Sequence, residues 1–474
     1  MKKTKIICTL GPASTNEKIM KEMLLSGMNV ARFNFSHGDH EEHEKRMNMF
    51  KKVRNELNMP AAILLDTKGP EIRTRDFENG FVVLEEGNPF TLTTKEIVGN
   101  ETIVSITYDN LPNEVYKGCK ILIDDGKVEL VVNKVDSENI YCDITVGGRI
   151  SNKRGVNIPS VNLQMPYLSE NDKKDLLFGI KQDVDYVAAS FIRRKEDLVS
   201  LRNFLDYNGG DKIKIISKIE CQEGIDNFDD ILKLSDGIMV ARGDMGVEVD
   251  YEKLPGIQKR FIAKCYQAGK TVITATQMLE SMINNPTPTR AEISDVANAV
   301  FDGTSAIMLS GETANGKYPV LALKTMARIA VRAEMDAFDL NKYKQLQQDI
   351  IIGDVTSAIS DATCTTAKDI NAKAIIAVTN SGRTARAVSR FRPEVPIVAA
   401  TPCVKSYHQL ALNWGVVPVV SRHQVNNDDL LKHAAYCAKQ TGLVENGDVV
   451  VITAGLPLGV TGTTNLLKVH VVGE

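Results

Sequence analysis

Eight short apolar runs rich in β-branched residues, each closed by a polar or glycine-containing cluster, constrain this chain more than any other feature. They fall at 5–10 (KIICTL), 29–34 (NVARFN), 61–66 (AAILLD), 186–190 (YVAAS), 213–218 (IKIISK), 237–241 (GIMVA), 271–275 (TVITA) and 305–309 (SAIML). Between them the apolar spacing becomes helical. Ile19, Met20, Met23 and Leu24 share one face over 17–26, Gly27 supplies a C-terminal stop, and Ser14 and Glu17 have capping-box spacing. Thr289 and Glu292 repeat that spacing before a helical stretch at 291–300, and Gly269 ends the helix that precedes the seventh run. Strands alternating with helices predict a parallel sheet with right-handed crossovers. Eight such units predict closure into a (β/α)8 barrel of the TIM type, ahead of an open doubly wound sheet.

Two stretches depart from that rhythm. After the third run, 71–166 reads as alternating strands (FVVLEEG, ETIVSITY, KVELVVNKV, NIYCDITVGG) separated by turns such as Asp125-Gly126. This predicts an inserted all-β domain, a β-barrel that leaves from the carboxyl end of a barrel strand and so lies where it can act as a lid. Over 336–474, runs at 374–379, 396–400, 417–420, 449–453 and 468–472 alternate with helical segments and predict an open α/β domain. The catalytic barrel is then expected from 1–70 and 167–335, and 474 residues suffice for three such units.

Composition removes several classes of partner. A net charge of −3 argues against nucleic acid or an acidic membrane surface, so any anionic ligand must be met by local cations. The N-terminal lysines precede too short an apolar stretch for a signal segment, and no run approaches bilayer length. The eight cysteines, at 8, 119, 142, 221, 265, 364, 403 and 437, have neither metal-binding nor redox spacing. A reduced, cytoplasmic setting is expected.

In such a barrel the carboxyl ends of different strands converge, so their terminal clusters belong to one constellation. Lys218 and Glu220 stand two apart on the fifth strand and project from the same face. Asp244 follows the sixth strand in an Arg-Gly-Asp turn. Two carboxylates with substrate and water oxygens suit Mg²⁺ rather than zinc, although a plain Lys-Glu ion pair is the blander alternative. Gly243 and Gly246 flank Asp244 where a helix can start, which leaves backbone amides free for a carboxylate or phosphate. Arg32 and Arg73 add guanidinium groups for phosphate, while Asn34, Ser36, Asp66 and Thr67 offer oxygens suited to a monovalent cation or a hydrated metal. Thr276 ends the seventh strand. His37, His40 and His43 lie in a highly charged stretch, SHGDHEEHEKR, and are expected as solvated imidazoles of an exposed first helical turn, with His37 nearest the strand end.

At these residues the chain resembles the pyruvate kinases, through ARFNFSHG (31–38), LDTKGPEIRT (65–74), SKIECQEG (217–224), MVARGDMGVE (239–248), TATQMLESM (274–282), PTRAEISDVANAV (288–300) and SGETANGKYP (310–319). The likeness extends over the insert and the last domain, and is to the bacterial type without an extra C-terminal phosphohistidine-like domain. It implies transfer of the phosphoryl group of phosphoenolpyruvate to ADP, giving pyruvate and ATP, in a cytoplasmic homotetramer. It implies Glu220 and Asp244 as ligands of Mg²⁺ or Mn²⁺, Lys218 and Arg32 facing the phosphoryl group, and the Gly243-Asp244 amides with Thr276 at the substrate carboxylate. Thr276 is also implied in protonating the enolate. Asn34, Ser36, Asp66 and Thr67 resemble a K⁺ site, and Glu71 the acidic form of the position that goes with K⁺ dependence. Arg73, His37 and Asn34 resemble nucleotide contacts. Where relatives carry a nucleotide-contacting lysine this chain has Asn171, so either Lys173 replaces it or the contact is missing. In the last domain the turn Thr379-Asn380-Ser381-Gly382-Arg383-Thr384 resembles the loop that binds the phosphate of an allosteric sugar or nucleotide effector, and GVTGTT (459–464) the loop that covers it. Two rivals remain: a metal-dependent lyase or aldolase acting on a pyruvate enolate, and a non-catalytic sensor of phosphorylated metabolites.

Overall fold

The computed structural model of the chain describes residues 1–159, 161–348, 350–424, 426–457, 460 and 462–474. The eight runs form a closed parallel barrel: Lys5–Thr9, Val30–Asn34, Ala62–Asp66, Tyr186–Ala189, Lys214–Ile219, Gly237–Ala241, Thr271–Ala275 and Ala306–Leu309. Each pairs with its neighbours in chain order, and the eighth returns to the first with Lys5 opposite Ala306.

Burial on both faces explains why these strands read as continuous apolar runs. Along the first strand Ile6 and Cys8 pack outward under the helices while Ile7 packs with the barrel interior. Ile63 and Leu65 point outward and Ala62 and Leu64 inward; on the fifth strand Ile215 and Ile219 are outward and Ile216 inward. Period-two alternation therefore carries Asp66, Lys218 and Glu220 to the inward side at the carboxyl ends, and Val30 does the same for Arg32 and Asn34. At the opposite end of the barrel Leu412, from the last domain, joins the interior cluster, Lys5 Nζ donates to Val416 O at 2.7 Å, and Tyr186 OH donates to Gln409 O at 2.6 Å.

The helix expected over 17–26 is found at Glu17–Leu25, with Met20, Met23 and Leu24 buried. Its cap is not the expected Ser14. Asn16 accepts from the Lys18 and Ile19 amides, because a side chain reaches those orphan donors from the residue next to the first turn, whereas Ser14 closes a separate 3-10 turn with Gly11. Thr289 and Glu292 do form a capping box on Arg290–Phe301, and Gly269 ends Leu254–Ala268 with φ 66°.

The expectation of solvated histidines holds for the exposed His37 and fails at His43. His43 is only 2% exposed, stacks on Phe35 with ring centroids 4.2 Å apart, and donates from Nε2 to His37 O at 2.9 Å. In His40–Glu56 the buried stripe is His43, Met47, Phe50, Val53 and Arg54, and the acidic residues around His43 occupy the other faces. His40 stacks on Phe178 and meets Asp175 Oδ1 at 2.6 Å.

Between the third and fourth barrel strands, seven strands form one sheet in the order Ile72–Arg73, Gly155–Asn157, Lys120–Ile123, Val128–Val135, Asn139–Val146, Pro89–Thr93, Ile103–Ser105. Its two edges meet: Thr74 bridges Ile106, Thr107 N donates to Arg73 O at 3.0 Å, and Arg75 N donates to Ser105 O at 2.8 Å. A two-stranded ribbon, Phe81–Leu84 with Gly148–Ser151, lies beside it. Val128, Leu130 and Val132 alternate into its own core.

The last domain is a five-stranded sheet in the order Val416–Val420, Ile397–Thr401, Ala374–Val378, Val449–Gly455, Thr464–Val471, parallel except for the final strand. Ala374 and Ile376 pack on one face with the helix Asn427–Gln440, and Ile375 and Ala377 on the other with Arg383–Arg390. No helix among the described residues is long and apolar enough to cross a membrane.

Candidate active site

A cleft of about 400 Å³ separates the carboxyl ends of the barrel strands from the insert, lined from below by Arg32, Lys218, Glu220 and Asp244 and from above by Asp124, Arg154 and Asn157. Asn157 Nδ2 donates to Glu248 Oε1 at 2.7 Å and so ties the insert to the helix Arg242–Glu248.

At its floor two cations share one carboxylate. Asp66, 1% exposed, takes Arg32 Nε on Oδ2 at 2.6 Å and lies 3.2 Å from Lys218 Nζ through Oδ1. Lys218 also meets Glu220 Oε1 at 2.8 Å and donates to Ser190 Oγ at 2.7 Å. Arg32 Nη1 donates to Thr9 Oγ1 at 2.9 Å. Burial works against ionising Asp66, but the Arg32 and Lys218 charges outweigh it and hold its carboxyl below the usual range. Burial likewise opposes the Lys218 charge, and Asp66, Glu220 and Asp244 together hold its pKa above the ordinary value. Glu220, fully buried, is pushed up to about 8 by burial, with Asp244 adding and Lys218 opposing. Its other oxygen accepts the amide of Phe191 at 2.7 Å.

The Asp244 carboxylate, in the first turn of the helix Arg242–Glu248, has no hydrogen-bond or ion-pair partner among the described residues. Burial raises the pKa of Glu71 and Glu248, and the Asp244 charge raises each further. Carboxylates crowded in this way fit a divalent cation, which would relieve the repulsion. No three metal-ligating side chains converge among the described residues, so such an ion would rest on Glu220, Asp244 and oxygens of ligand and water.

Gly243 N donates to Thr276 Oγ1 at 2.8 Å, which brings two expected substrate-side groups together but engages the Gly243 amide that was expected to be free. Asn34 is the register partner of Asp66, and Asn34 Oδ1 accepts the Ser36 amide at 3.1 Å. Thr67 Oγ1 accepts the Ser190 amide at 3.2 Å. Gly69 holds the following turn at φ 76°, where a Cβ would lie 2.8 Å from Ser190 O. Arg73 is gripped by Glu71, with Nη2 at 2.5 Å and Nε at 2.7 Å from Oε2, and both line the cleft with the exposed His37. Lys173 does not reach the cleft: it pairs with Glu170 at 2.7 Å and lines a separate surface hollow with Tyr167 and Arg194, and the neighbouring Asn171 is exposed.

Far from this cleft, Thr379, Asn380, Ser381, Arg383 and Thr384 line a cavity of about 310 Å³ in the last domain. Thr384 Oγ1 is hydrogen-bonded to Thr464 Oγ1 at 2.9 Å, and Gly382 opens the helix with φ 80°. Gly459 and Thr461 of the expected covering loop lie outside the described residues, while Val460, Gly462 and Thr463 border the cavity.

Sequence reasoning missed Ser190, which bonds Lys218 and donates to Thr67 O at 2.6 Å, and Phe191, whose φ of 51° aims its amide at Glu220. Their place directly after the fourth strand was the available signal. It also missed Arg242 and Glu248, which frame Asp244 in the sequence.

Residues 1–323 match the family model "Pyruvate kinase, barrel domain" and residues 357–470 match "Pyruvate kinase, alpha/beta domain". The chain is 51% identical over 473 residues to a protein of Clostridium acetobutylicum named pyruvate kinase, covering all of both chains. It is 50% identical over 476 residues to the one named so in Staphylococcus haemolyticus, covering all of this chain and 81% of that relative.

Proposed function

This chain belongs to the pyruvate kinase family, and on that premise we propose that it moves the phosphoryl group of phosphoenolpyruvate to ADP, giving pyruvate and ATP. The observation that carries the reading is the Lys218 ammonium, held between Asp66 and Glu220 with the Arg32 guanidinium on the other oxygen of Asp66. Phosphoryl transfer asks a protein mainly for positioning and for positive charge where charge develops. Lys218, kept protonated by its carboxylates, meets the phosphoryl oxygens in transit, and Arg32 orients the same group. The substrate carboxylate takes the Asp244 amide and Thr276 and replaces Thr276 Oγ1 as the acceptor of the Gly243 amide, and the Thr276 hydroxyl belongs to the proton relay to the enolate carbon, with water as the source. Glu220 and Asp244 hold Mg²⁺ or Mn²⁺, which when bound supplies positive charge to the phosphoryl and enol oxygens.

Asn34, Ser36, Asp66 and Thr67 hold K⁺; Asp66 keeps lone pairs for it beside its two cations. Arg73, His37 and Asn34 face the nucleotide. The turn from Thr379 to Thr384 binds the phosphate of a sugar or nucleotide activator, and the working unit is a cytoplasmic homotetramer; a monomeric mass by light scattering overturns the last point.

Pyruvate formation from phosphoenolpyruvate, ADP, Mg²⁺ and K⁺ tests the reading, repeated without ADP and without K⁺. ADP-dependent pyruvate that falls when K⁺ is omitted is the expected result. Pyruvate without ADP points to a lyase or phosphatase instead, and bound phosphoenolpyruvate without product points to a sensor.

A further inference from the structure

Two adjacent residues at the end of the seventh barrel strand, Thr276 and Gln277, hold φ of 68° and 53°. L residues avoid this left-handed region, and a β-branched threonine avoids it most. Such a turn persists only where its surroundings over-determine it.

The determination comes from Arg242, the first residue after the sixth strand. Its Nε donates to Ala275 O at 3.1 Å and its Nη2 to Thr276 O at 2.6 Å, so one guanidinium holds the two successive carbonyls that frame the turn. Nη1 donates to Asp295 Oδ1 at 2.7 Å and to Gln258 Oε1 at 3.3 Å, which anchors the group from the far side. The Arg242 side chain is 16% exposed. A planar fork of fixed donors can grip two carbonyls and a carboxylate at once, which an ammonium cannot do with the same geometry. The next residue completes the grip, because the Gly243 amide donates to Thr276 Oγ1, which in turn donates to Ala275 O at 2.6 Å. Residues 242 and 243 thus hold the same turn, one through its side chain and one through its backbone.

We infer that Arg242, anchored by Asp295, is a positioning residue: it maintains the strained Thr276 turn and with it the spacing of the Thr276 hydroxyl and the Gly243 amide at the substrate carboxylate. The identity of that substrate rests on the proposed function. The N–H groups of Arg242 are taken by four protein oxygens and, through Nη2, by Met278 Sδ at 3.0 Å, so its effect passes through Thr276 and not through contact with the ligand.

Arg242→Gln removes the fork, and Asp295→Ala, at a side chain about a third exposed, removes only the anchor. For Arg242→Gln, kcat/KM for phosphoenolpyruvate is expected to fall about 100-fold, the scale of a small misplacement at a reacting centre, with the KM for ADP and the Mn²⁺ affinity within about twofold. Asp295→Ala changes the same parameter in the same direction and less. Adding Gln277→Gly to Arg242→Gln recovers part of the loss, because glycine takes a positive φ without strain. Calorimetric binding of phosphoenolpyruvate with Mg²⁺ weakens in parallel and needs no turnover, so it decides the positioning role even if the wild type forms no pyruvate, an outcome that counts against the proposed reaction alone. Phosphoenolpyruvate parameters within twofold of wild type in both single variants, or a loss shared equally by ADP and metal, overturns the inference.

Discussion

Lys218 and Asp66 face each other across the barrel mouth at 3.2 Å, and Asp66 spends its second oxygen on Arg32. The carboxylate therefore serves two cations, and removing one leaves the other in place. Lys218→Met is expected to lower kcat by about 10³-fold or more, since it removes positive charge from the transition state. Mn²⁺ binding, followed by electron paramagnetic resonance, should persist, because Glu220 and Asp244 lose a competing cation and remain as ligands. Near-normal turnover would remove Lys218 from the chemistry.

The barrel is legible in the sequence because strands buried on both faces write themselves as unbroken apolar runs, and period two then aims Lys218 and Glu220 without any structure. What stays hidden is what depends on backbone partners. The Arg242 guanidinium bonds the carbonyls of Ala275 and Thr276, groups every residue carries, so its sequence context offers only a charge before a glycine. The contact that closes the inserted sheet is a single bridge from Thr74 to Ile106, too short to leave a pattern. His43 was obscured by its charged neighbours, although the stripe from His43 through Met47, Phe50 and Arg54 has helical spacing and marks the buried face.

Glu71 and Arg73 pair at the edge of the cleft, where burial raises the Glu71 pKa and Arg73 opposes it. Glu71→Lys puts a fixed cation where the K⁺ requirement is expected to originate and repels Arg73. Omitting K⁺ should then change turnover little, while the KM for ADP rises several-fold as Arg73 loses its partner. The stability cost should stay below about 1 kcal/mol, because the Arg73 side chain is 42% exposed. An unchanged K⁺ requirement in initial-rate assays sinks the role given to Glu71.

In the turn proposed to bind an effector phosphate the structure separates two residues that the sequence treats alike. Ser381 is exposed, whereas Thr384 is 5% exposed and bonded to Thr464. Ser381→Ala should abolish activation by phosphorylated effectors, screened as sugar phosphates and nucleotides, and leave basal activity and thermal midpoint unchanged. Thr384→Ala should also lower the stability of the last domain by about 1 kcal/mol through the lost hydrogen bond. Full activation in Ser381→Ala refutes the site.

His408 lies where the last domain meets the barrel, 8% exposed, and its pKa is lowered to about 3 by burial first and then by the Arg54 and Lys405 charges, with Asp183 opposing. Lys405 Nζ meets Asp183 Oδ1 at 2.7 Å and Asp185 Oδ1 at 3.5 Å, so acids compensate the lysine at this junction while the imidazole stays neutral. An unfolded histidine titrates near 6.5, above the folded value, so below that pH the unfolded chain binds the extra proton. The contribution of neutral His408 is therefore complete above about pH 6.5 and is lost progressively as pH falls toward 3. Between pH 7 and pH 5 the loss amounts to up to about 2 kcal/mol, at 1.36 kcal/mol for each unit of pH below the unfolded value. His408→Gln keeps a neutral polar side chain of similar size without a titrating group. Denaturant unfolding at the two pH values should show wild type losing more stability than His408→Gln on acidification, and equal losses would mean that the imidazole takes up its proton without disturbing the junction.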